Sequence, residues 1–268
     1  MSQIKPFTLM VNSAEINGEL YYSDSEISPE TQGIIICHGI PAGLNPDYSP
    51  NTTSGYEALA RTFSSMGYDT IIFNFSGTGK SGGNLDLAEW VKQLEAVIKY
   101  YRDTVIKNRN YGGNTILLHL LGFSAGAAVS VMATANLQSP VEIISLALCA
   151  CPGNFRFLID KLTEKGVLEW FKSAGFFRSA ETLPSEKKWL QNLLSVEPEK
   201  YIHKIKTRNI LIIHGEKDDI VTPEHATNLY NRATTNKKLI IHPDEGHQLR
   251  HSEKVIKNLK KWFEDQSV

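Results

Sequence analysis

A series of short apolar runs constrains this chain more than any other feature: Gly33-Cys37, Thr70-Phe75, Thr115-Phe123, Val141-Cys149, Asn209-Ile213 and Lys238-Ile241. Each is apolar at consecutive positions instead of alternating, so each reads as a strand buried on both faces. Segments of helical period separate them. Tyr56, Leu59, Ala60 and Phe63 share a face that stops at Gly67, and Leu87, Trp90, Val91, Leu94, Val97, Ile98 and Tyr101 form a longer stripe. Val255, Ile256, Leu259, Trp262 and Phe263 close the chain in the same way. A polar hairpin around Phe7-Val11 and Ile16-Tyr22 comes first. Strands alternating with helices behind an antiparallel hairpin predict the α/β class, with a mostly parallel central sheet and helices on both faces.

At 268 residues the chain fits one large domain carrying an insertion. The rhythm breaks between Pro152 and His203, where several helical pieces stand in place of a single crossover helix. This stretch is rich in large apolar side chains, among them Phe155, Phe157, Leu158, Leu168, Trp170, Phe171, Phe176, Phe177, Trp189 and Leu190. Residues 152–203 are expected to form a helical cap over the carboxyl end of the sheet, within a single domain spanning residues 1–268. The alternative is a pair of ordinary packing helices, in which case the Pro41 to Pro50 loop would supply the pocket.

Composition narrows the function classes. A net charge of -1 with 21% charged residues offers no basic excess for phosphates or anionic lipid, so neither a nucleic-acid nor a membrane partner is expected. The opening MSQIKPFTLM lacks the basic and apolar regions of a secretory leader, and no run approaches the length of a membrane span. A cytoplasmic address is the expectation, and the Asn51-Thr52-Thr53 sequon carries no meaning there. Cys37, Cys149 and Cys151 are odd in number and lie in or beside apolar runs, which predicts free core thiols.

The chemistry concentrates at the ends of the predicted strands. Gly122-Phe123-Ser124-Ala125-Gly126 follows the run LLHLL and opens the small-residue helix AGAAVSVMATA. A strand-to-helix turn with small flanks lets a serine sit in strained backbone and point outward, above a helix amino terminus that favours developing negative charge. Acyl transfer needs two backbone N–H groups aimed at the oxyanion. Ala125, after the serine, supplies one. His38-Gly39-Ile40-Pro41, just past the Gly33-Cys37 strand, supplies the other, and because Pro41 has no N–H the donor is Ile40. His38 itself is expected to shape the turn. Downstream, His214-Gly215-Glu216-Lys217-Asp218-Asp219-Ile220-Val221 ends a strand in a carboxylate-rich turn, and Asp244-Glu245-Gly246-His247 follows the last strand. A buried carboxylate in the first turn would fix the tautomer of His247.

Together these residues resemble the α/β-hydrolase superfamily, near its capped esterase, monoglyceride-lipase and serine-aminopeptidase-like branch. The resemblance runs from about Ile34 to Phe263. The family's H-G turn falls on His38-Gly39, its elbow on Gly122 to Gly126, its acid turn on Asp218 before Val221, and its G-H pair on Gly246-His247. Phe73-Asn74-Phe75-Ser76-Gly77-Thr78-Gly79-Lys80-Ser81 is similar to the family's acidic-x-arginine-glycine turn, although Ser76 stands where an arginine is common. Ala127 replaces a second glycine, and Thr222 separates Val221 from Pro223. The resemblance implies Ser124 as nucleophile, His247 as general base and Asp218 as the acid, which lies four residues after His214 and three before Val221. Asp219 and Glu216 are its rivals.

What the resemblance implies is a serine hydrolase of carboxylic esters, with thioesters within reach, and a small-molecule substrate held by cap residues such as Trp170 and Phe171. An amide-cleaving, aminopeptidase-like enzyme is the alternative and would need carboxylates such as Glu164, Glu169 or Glu181 to hold an amino group. A non-catalytic binding module on the same scaffold is a second alternative. Serine at the nucleophile position argues against dehalogenase and epoxide-hydrolase chemistry, which in this fold uses a carboxylate. Gly79-Lys80-Ser81 ends like a phosphate-binding loop, but Asn74 stands where that motif requires glycine, so nucleotide binding is rejected. His119 and His242 read as structural, and His203, His225 and His251 fall on helices or surface turns. No histidine or cysteine pair has metal-ligand spacing, so no metal and no cofactor are expected.

Overall fold

The structure, a computed structural model, describes residues 3–23, 32–41, 55–109, 116–137 and 141–266. The sequon and the loop beyond Pro41 lie outside the described residues. Strands β1 (Ile4–Val11), β2 (Ala14–Tyr21), β3 (Gly33–Cys37), β4 (Asp69–Phe73), β5 (Ile116–Phe123), β6 (Val141–Cys149), β7 (Asn209–Gly215) and β8 (Asn236–His242) form one eight-stranded sheet. Its order is β1-β2-β4-β3-β5-β6-β7-β8. The hairpin β1-β2 joins through an antiparallel β2-β4 pair, and every later pair is parallel. The continuously apolar runs of β3, β4, β5 and β6 are buried almost throughout, because each has a neighbour on both edges and a helix layer on both faces.

β8 departs from the expectation of a buried strand. Its residues are at most half-buried, since β8 is the last strand in the order and pairs only with β7. Lys237 and Lys238 mark it as an edge. The Lys237 ammonium also donates to the Tyr230 and Ala233 carbonyls, 2.6 and 2.7 Å away, at the carboxyl end of α7 (Pro223–Arg232).

Helices α1 (Tyr56–Ser65) and α8 (Glu253–Glu264) cover one face, where Phe63, Leu259 and Phe263 meet Ile36 and Ile72. Helices α2 (Leu87–Arg109) and α3 (Ala125–Asn136) cover the other, where Trp90, Leu94 and Val129 pack over Ile35, Leu120 and Leu146. His119, in the middle of β5, is buried and has partners on both ring nitrogens: Gln32 Oε1 at 2.6 Å and Ser145 Oγ at 2.8 Å. The carboxamide oxygen can only accept, so Nε2 carries the proton and Nδ1 accepts from Ser145. Cys37, Cys149 and Cys151 are buried and unbridged, and burial pushes the Cys37 thiol up to about 12.

Between β6 and β7 the chain forms α4 (Arg156–Ser173), α5 (Glu186–Ser195), the short α6 (Pro198–Tyr201) and a single 3₁₀ turn. α4 is broken at Thr163, whose φ of 63° and ψ of 164° belong to no helix. The Thr163 hydroxyl accepts from Gly166 N–H at 3.3 Å and so starts the second half as a cap. The helices are tied to the loop after β4. Trp189 Nε1 donates to the Leu85 carbonyl at 2.7 Å, Leu85 N–H to Phe176 O at 3.0 Å, and Asn192 to Asp86 at 2.6 Å. Phe171, Phe176, Phe177 and Trp189 form one aromatic cluster behind these bonds.

Candidate active site

Four loops meet at the carboxyl end of the sheet. β5 ends at Phe123 and α3 begins at Ala125, leaving Ser124 alone in the turn with φ 52° and ψ -124°. An L-residue takes such a backbone only at a cost of about 1–3 kcal/mol, and the surroundings enforce it. The Ser124 N–H donates to Cys149 O at 2.8 Å, and its carbonyl accepts from Ala127 N–H at 2.9 Å. Gly126 must be glycine, for a Cβ there would stand 2.3 Å from the Cys37 carbonyl oxygen. Gly39 is equally constrained, because its Cβ would lie 2.8 Å from that of Ser124. The turn after β3 thus runs directly against the serine.

Ser124, His247 and Asp218 come together. His247 Nε2 lies 3.0 Å from Ser124 Oγ, and His247 Nδ1 lies 2.8 Å from Asp218 Oδ2. A carboxylate only accepts, so the proton sits on Nδ1 and Nε2 is free to accept from the serine hydroxyl. Asp218 is fixed by its own turn, its other oxygen accepting from the Ile220 and Val221 N–H groups at 3.0 and 2.9 Å. Burial alone would raise this carboxyl. Donation from His214 and His247, the charge His247 acquires on protonation, and the Val221 N–H outweigh it and hold the group well below the usual carboxylate range. Both rivals, Asp219 and Glu216, are exposed.

His214 is a member of this cluster that the sequence reading treated only as part of the acid turn. Its ring is wholly buried, with Nε2 3.1 Å from Asp218 Oδ2 and 2.8 Å from the Val221 carbonyl. Two acceptors facing one nitrogen place the proton there, so His214 donates to the same oxygen that receives His247. The four-residue spacing from His214 to Asp218 was visible; that the turn folds the ring back on the carboxylate was not.

The oxyanion candidates sit on either side of Ser124. Ala125 is the first residue of α3, whose leading N–H groups have no intrahelical acceptor, and Ile40 lines the cavity above the serine. His38 is buried, and its Nε2 accepts from Phe75 N–H at 3.1 Å while Nδ1 meets Gly39 O at 2.7 Å. Burial lowers it to about 4, so it stays neutral and ties the turn to the loop after β4. That loop is held by neutral bonds at Ser76: Gln93 Oε1 accepts from Ser76 N–H, and Ser76 Oγ donates to Asn84 O. β4 ends at Phe73, one residue before Asn74, instead of running on to Phe75. Asn74 Oδ1 accepts from Lys80 N–H at 3.2 Å, which closes the loop on itself.

Above Ser124 lies a cavity of about 410 Å³. The loops contribute Ile40, Pro41 and Val221, and the start of α1 contributes Tyr56; the helices between β6 and β7 contribute Phe157, Leu158 and Trp170, with Phe155 just before them. Gln248 and Arg250, on the His247 loop, are polar members that the sequence reading did not single out. Phe171 is a correction. It is wholly buried in the aromatic cluster, 4.8 Å from Trp189 between ring centroids, behind Trp170, whose ring lines the cavity and packs edge-on against Phe171 at 4.7 Å. Glu164, Glu169 and Glu181 are exposed and outside the cavity, and Glu169 pairs with Lys165. Among the described residues no group of acidic, histidine and cysteine side chains is arranged to hold a metal ion, and no helix is long and apolar enough to cross a membrane.

Residues 80–258 match the family model described as serine hydrolase (FSH1), a stretch that holds Ser124, Asp218 and His247. The chain belongs to this serine hydrolase family. Known structures extend the likeness over the whole length. The serine hydrolase is similar to Est1E from Butyrivibrio proteoclasticus, solved with ferulic acid, at 19% identity over 97% of this chain and 98% of the other, with a TM-score of 0.71. The Pyrococcus furiosus esterase Pf2001 matches at 17% identity over 100% and 94%, with a TM-score of 0.67. Mouse alpha/beta hydrolase domain-containing protein 10 matches at 16% over 97% of each chain, with a TM-score of 0.65. At these identities the likeness establishes the α/β-hydrolase fold. No curated protein matches the chain.

Proposed function

We propose that this serine hydrolase cleaves carboxylic esters, and by the same chemistry thioesters, through an acyl-enzyme on Ser124. The observation that carries the reading is the unbroken hydrogen-bond chain from Asp218 through His247 to Ser124, on the floor of a mainly apolar cavity. Ser124 Oγ attacks the carbonyl carbon as His247 Nε2 takes the hydroxyl proton. The Ile40 and Ala125 N–H groups receive the oxyanion, His247 returns the proton to the departing alkoxide or thiolate, and water completes the second half. Asp218 stays ionised throughout and holds the imidazolium.

Residues 152–203 act as a cap whose Phe157, Leu158 and Trp170 set the apolar part of the substrate. An ester fits this lining better than a free amino terminus, since no carboxylate lines the cavity among the described residues. The unbridged thiols suit a reducing compartment, so we assign the protein to the cytoplasm, which cell fractionation tests.

Ser124→Ala is expected to lower turnover of p-nitrophenyl butyrate by about a thousandfold or more, to abolish labelling by a fluorophosphonate, and to leave the thermal transition in place. Near-native turnover in that variant would overturn the mechanism.

A further inference from the structure

We infer that Lys161 is a positioning residue for the catalytic acid, joining the helices between β6 and β7 to Asp218 through two backbone peptide units. The inference rests on the acyl-enzyme reading of the same site. Lys161 Nζ lies 2.9 Å from the Asp219 carbonyl oxygen and 3.2 Å from that of Ile220, and donates to both. Each carbonyl shares a planar peptide unit with the N–H of the next residue. Those two groups, Ile220 N–H and Val221 N–H, are the ones that donate to Asp218 Oδ1 at 3.0 and 2.9 Å. Two peptide dipoles therefore stand side by side, with the ammonium at their carbonyl ends and the carboxylate at their amide ends. Hydrogen bonds in such a chain polarise one another, so the cation makes both N–H groups better donors to the acid. The Val221 N–H is among the groups that hold the Asp218 carboxyl low. With Oδ1 fixed in this way, Oδ2 is left aimed at His247.

The place of Lys161 in the fold connects this bridge to the cavity. The non-helical backbone of Thr163 separates residues 156–162 from the second half of α4, which Val167 and Phe171 anchor in the core. One turn before Lys161 stands Phe157, a wall of the cavity, and the ammonium lies 5.8 Å from the centroid of its ring. Ile220 and Val221, at the other end of the bridge, line the same cavity. A substrate lying between Phe157 and Ile220 thus touches both ends of the link that steadies the acid.

The test separates positioning from packing. Lys161→Met keeps an unbranched side chain and removes the charge, whereas Lys161→Arg keeps the charge. On p-nitrophenyl acetate, Lys161→Met is expected to lower kcat about threefold to tenfold with KM nearly unchanged and the thermal transition in place, and Lys161→Arg to restore most of the loss. The rate constant for fluorophosphonate labelling of Ser124, which uses the same His247–Asp218 pair, should fall by the same factor. In an Asp218→Asn background, Lys161→Met should have no further effect on labelling, since its route to the nucleophile is gone. A loss that persists in that background, a rise in KM with kcat intact, or no loss at all overturns the inference. If the native protein is labelled but turns over no ester, the ester assignment alone fails, and the labelling rates still decide the role of Lys161. If the native protein is not labelled, the acyl-enzyme reading fails and the inference falls with it.

Discussion

Two adjacent carboxylates and a buried imidazole separate the roles on the acid turn. Asp218 is fully enclosed and joined to His247, whereas Asp219 is exposed, and its carbonyl accepts from Lys161. Asp218→Asn is expected to lower kcat by about a hundredfold to ten-thousandfold at neutral pH, because an amide in that place favours the wrong imidazole tautomer. Asp219→Asn should cost less than about tenfold. His214→Phe removes one charge-assisted donor from the carboxylate while filling similar space, so kcat should drop about tenfold with KM nearly unchanged. Assaying the three variants on one ester ranks them, and a mild effect at Asp218 would mean that another group orients His247. The family resemblance, which implies an acid four residues after His214 and three before Val221, points to Asp218 among its neighbours, and a carboxylate on this turn was legible in the sequence itself. The His214 contact was not, since it depends on how the turn closes, which no spacing rule encodes.

At the scale of elements, the strands were legible for a simple reason. A strand with neighbours on both edges and helices on both faces is expected to be apolar nearly throughout, and β3 is so at every position, while β5 departs at His119 and β6 at Glu142 and Ser145. β8 was misread as buried because Leu239, Ile240 and Ile241 are apolar, although the lysines before them carry the edge signal. The helices between β6 and β7 were legible as a group but not residue by residue: Trp170 and Phe171 are adjacent and look alike in sequence, yet Trp170 lines the cavity while Phe171, packed edge-on against it, is wholly buried in the aromatic cluster. Their substitutions should therefore diverge. Trp170→Ala is expected to change the ratio of acetate to longer-chain ester turnover more than it changes stability. Phe171→Ala should lower unfolding free energy by about 3–5 kcal/mol, as for other buried aromatics, with little change in that ratio for whatever fraction remains folded. Chemical denaturation paired with a chain-length series decides between this and the reverse assignment.

For the whole molecule, the buried histidines set an acid limit that is reached before the depressed carboxyl of Asp218 titrates. In the unfolded chain a histidine gains its proton below about pH 6.5; burial lowers native His38 to about 4 and His119 to about 3. Between those values the unfolded state binds more protons, so the native state is at full advantage above about pH 6.5 and loses it as pH falls toward the native values. The slope is about 1.4 kcal/mol per pH unit for each such group. The urea midpoint should thus drop between pH 6.5 and 5, before ordinary carboxylates titrate. His119→Gln should flatten the slope by the share of this one group, while His38, His225 and His251, which burial also lowers, keep the rest; an unchanged slope would assign the effect to other groups.

The three enclosed cysteines make the protein its own stopwatch. Cys37 and Cys149 end the strands on either side of β5, and the carbonyls of both meet the nucleophile turn: that of Cys37 lies against Gly126, and that of Cys149 accepts from Ser124 N–H. Their sulfurs are out of solvent's reach, and burial raises all three thiols, so a thiol reagent such as dithionitrobenzoate finds almost no thiolate on the folded molecule. Colour should develop at the rate at which the carboxyl edge of the sheet opens, and faster reagent should not hasten it once opening is limiting. A covalent acyl or phosphonyl group on Ser124 that tightens this edge should slow the reaction at all three sulfurs together, which turns an unlabelled sample into a direct recorder of how long the catalytic edge stays shut.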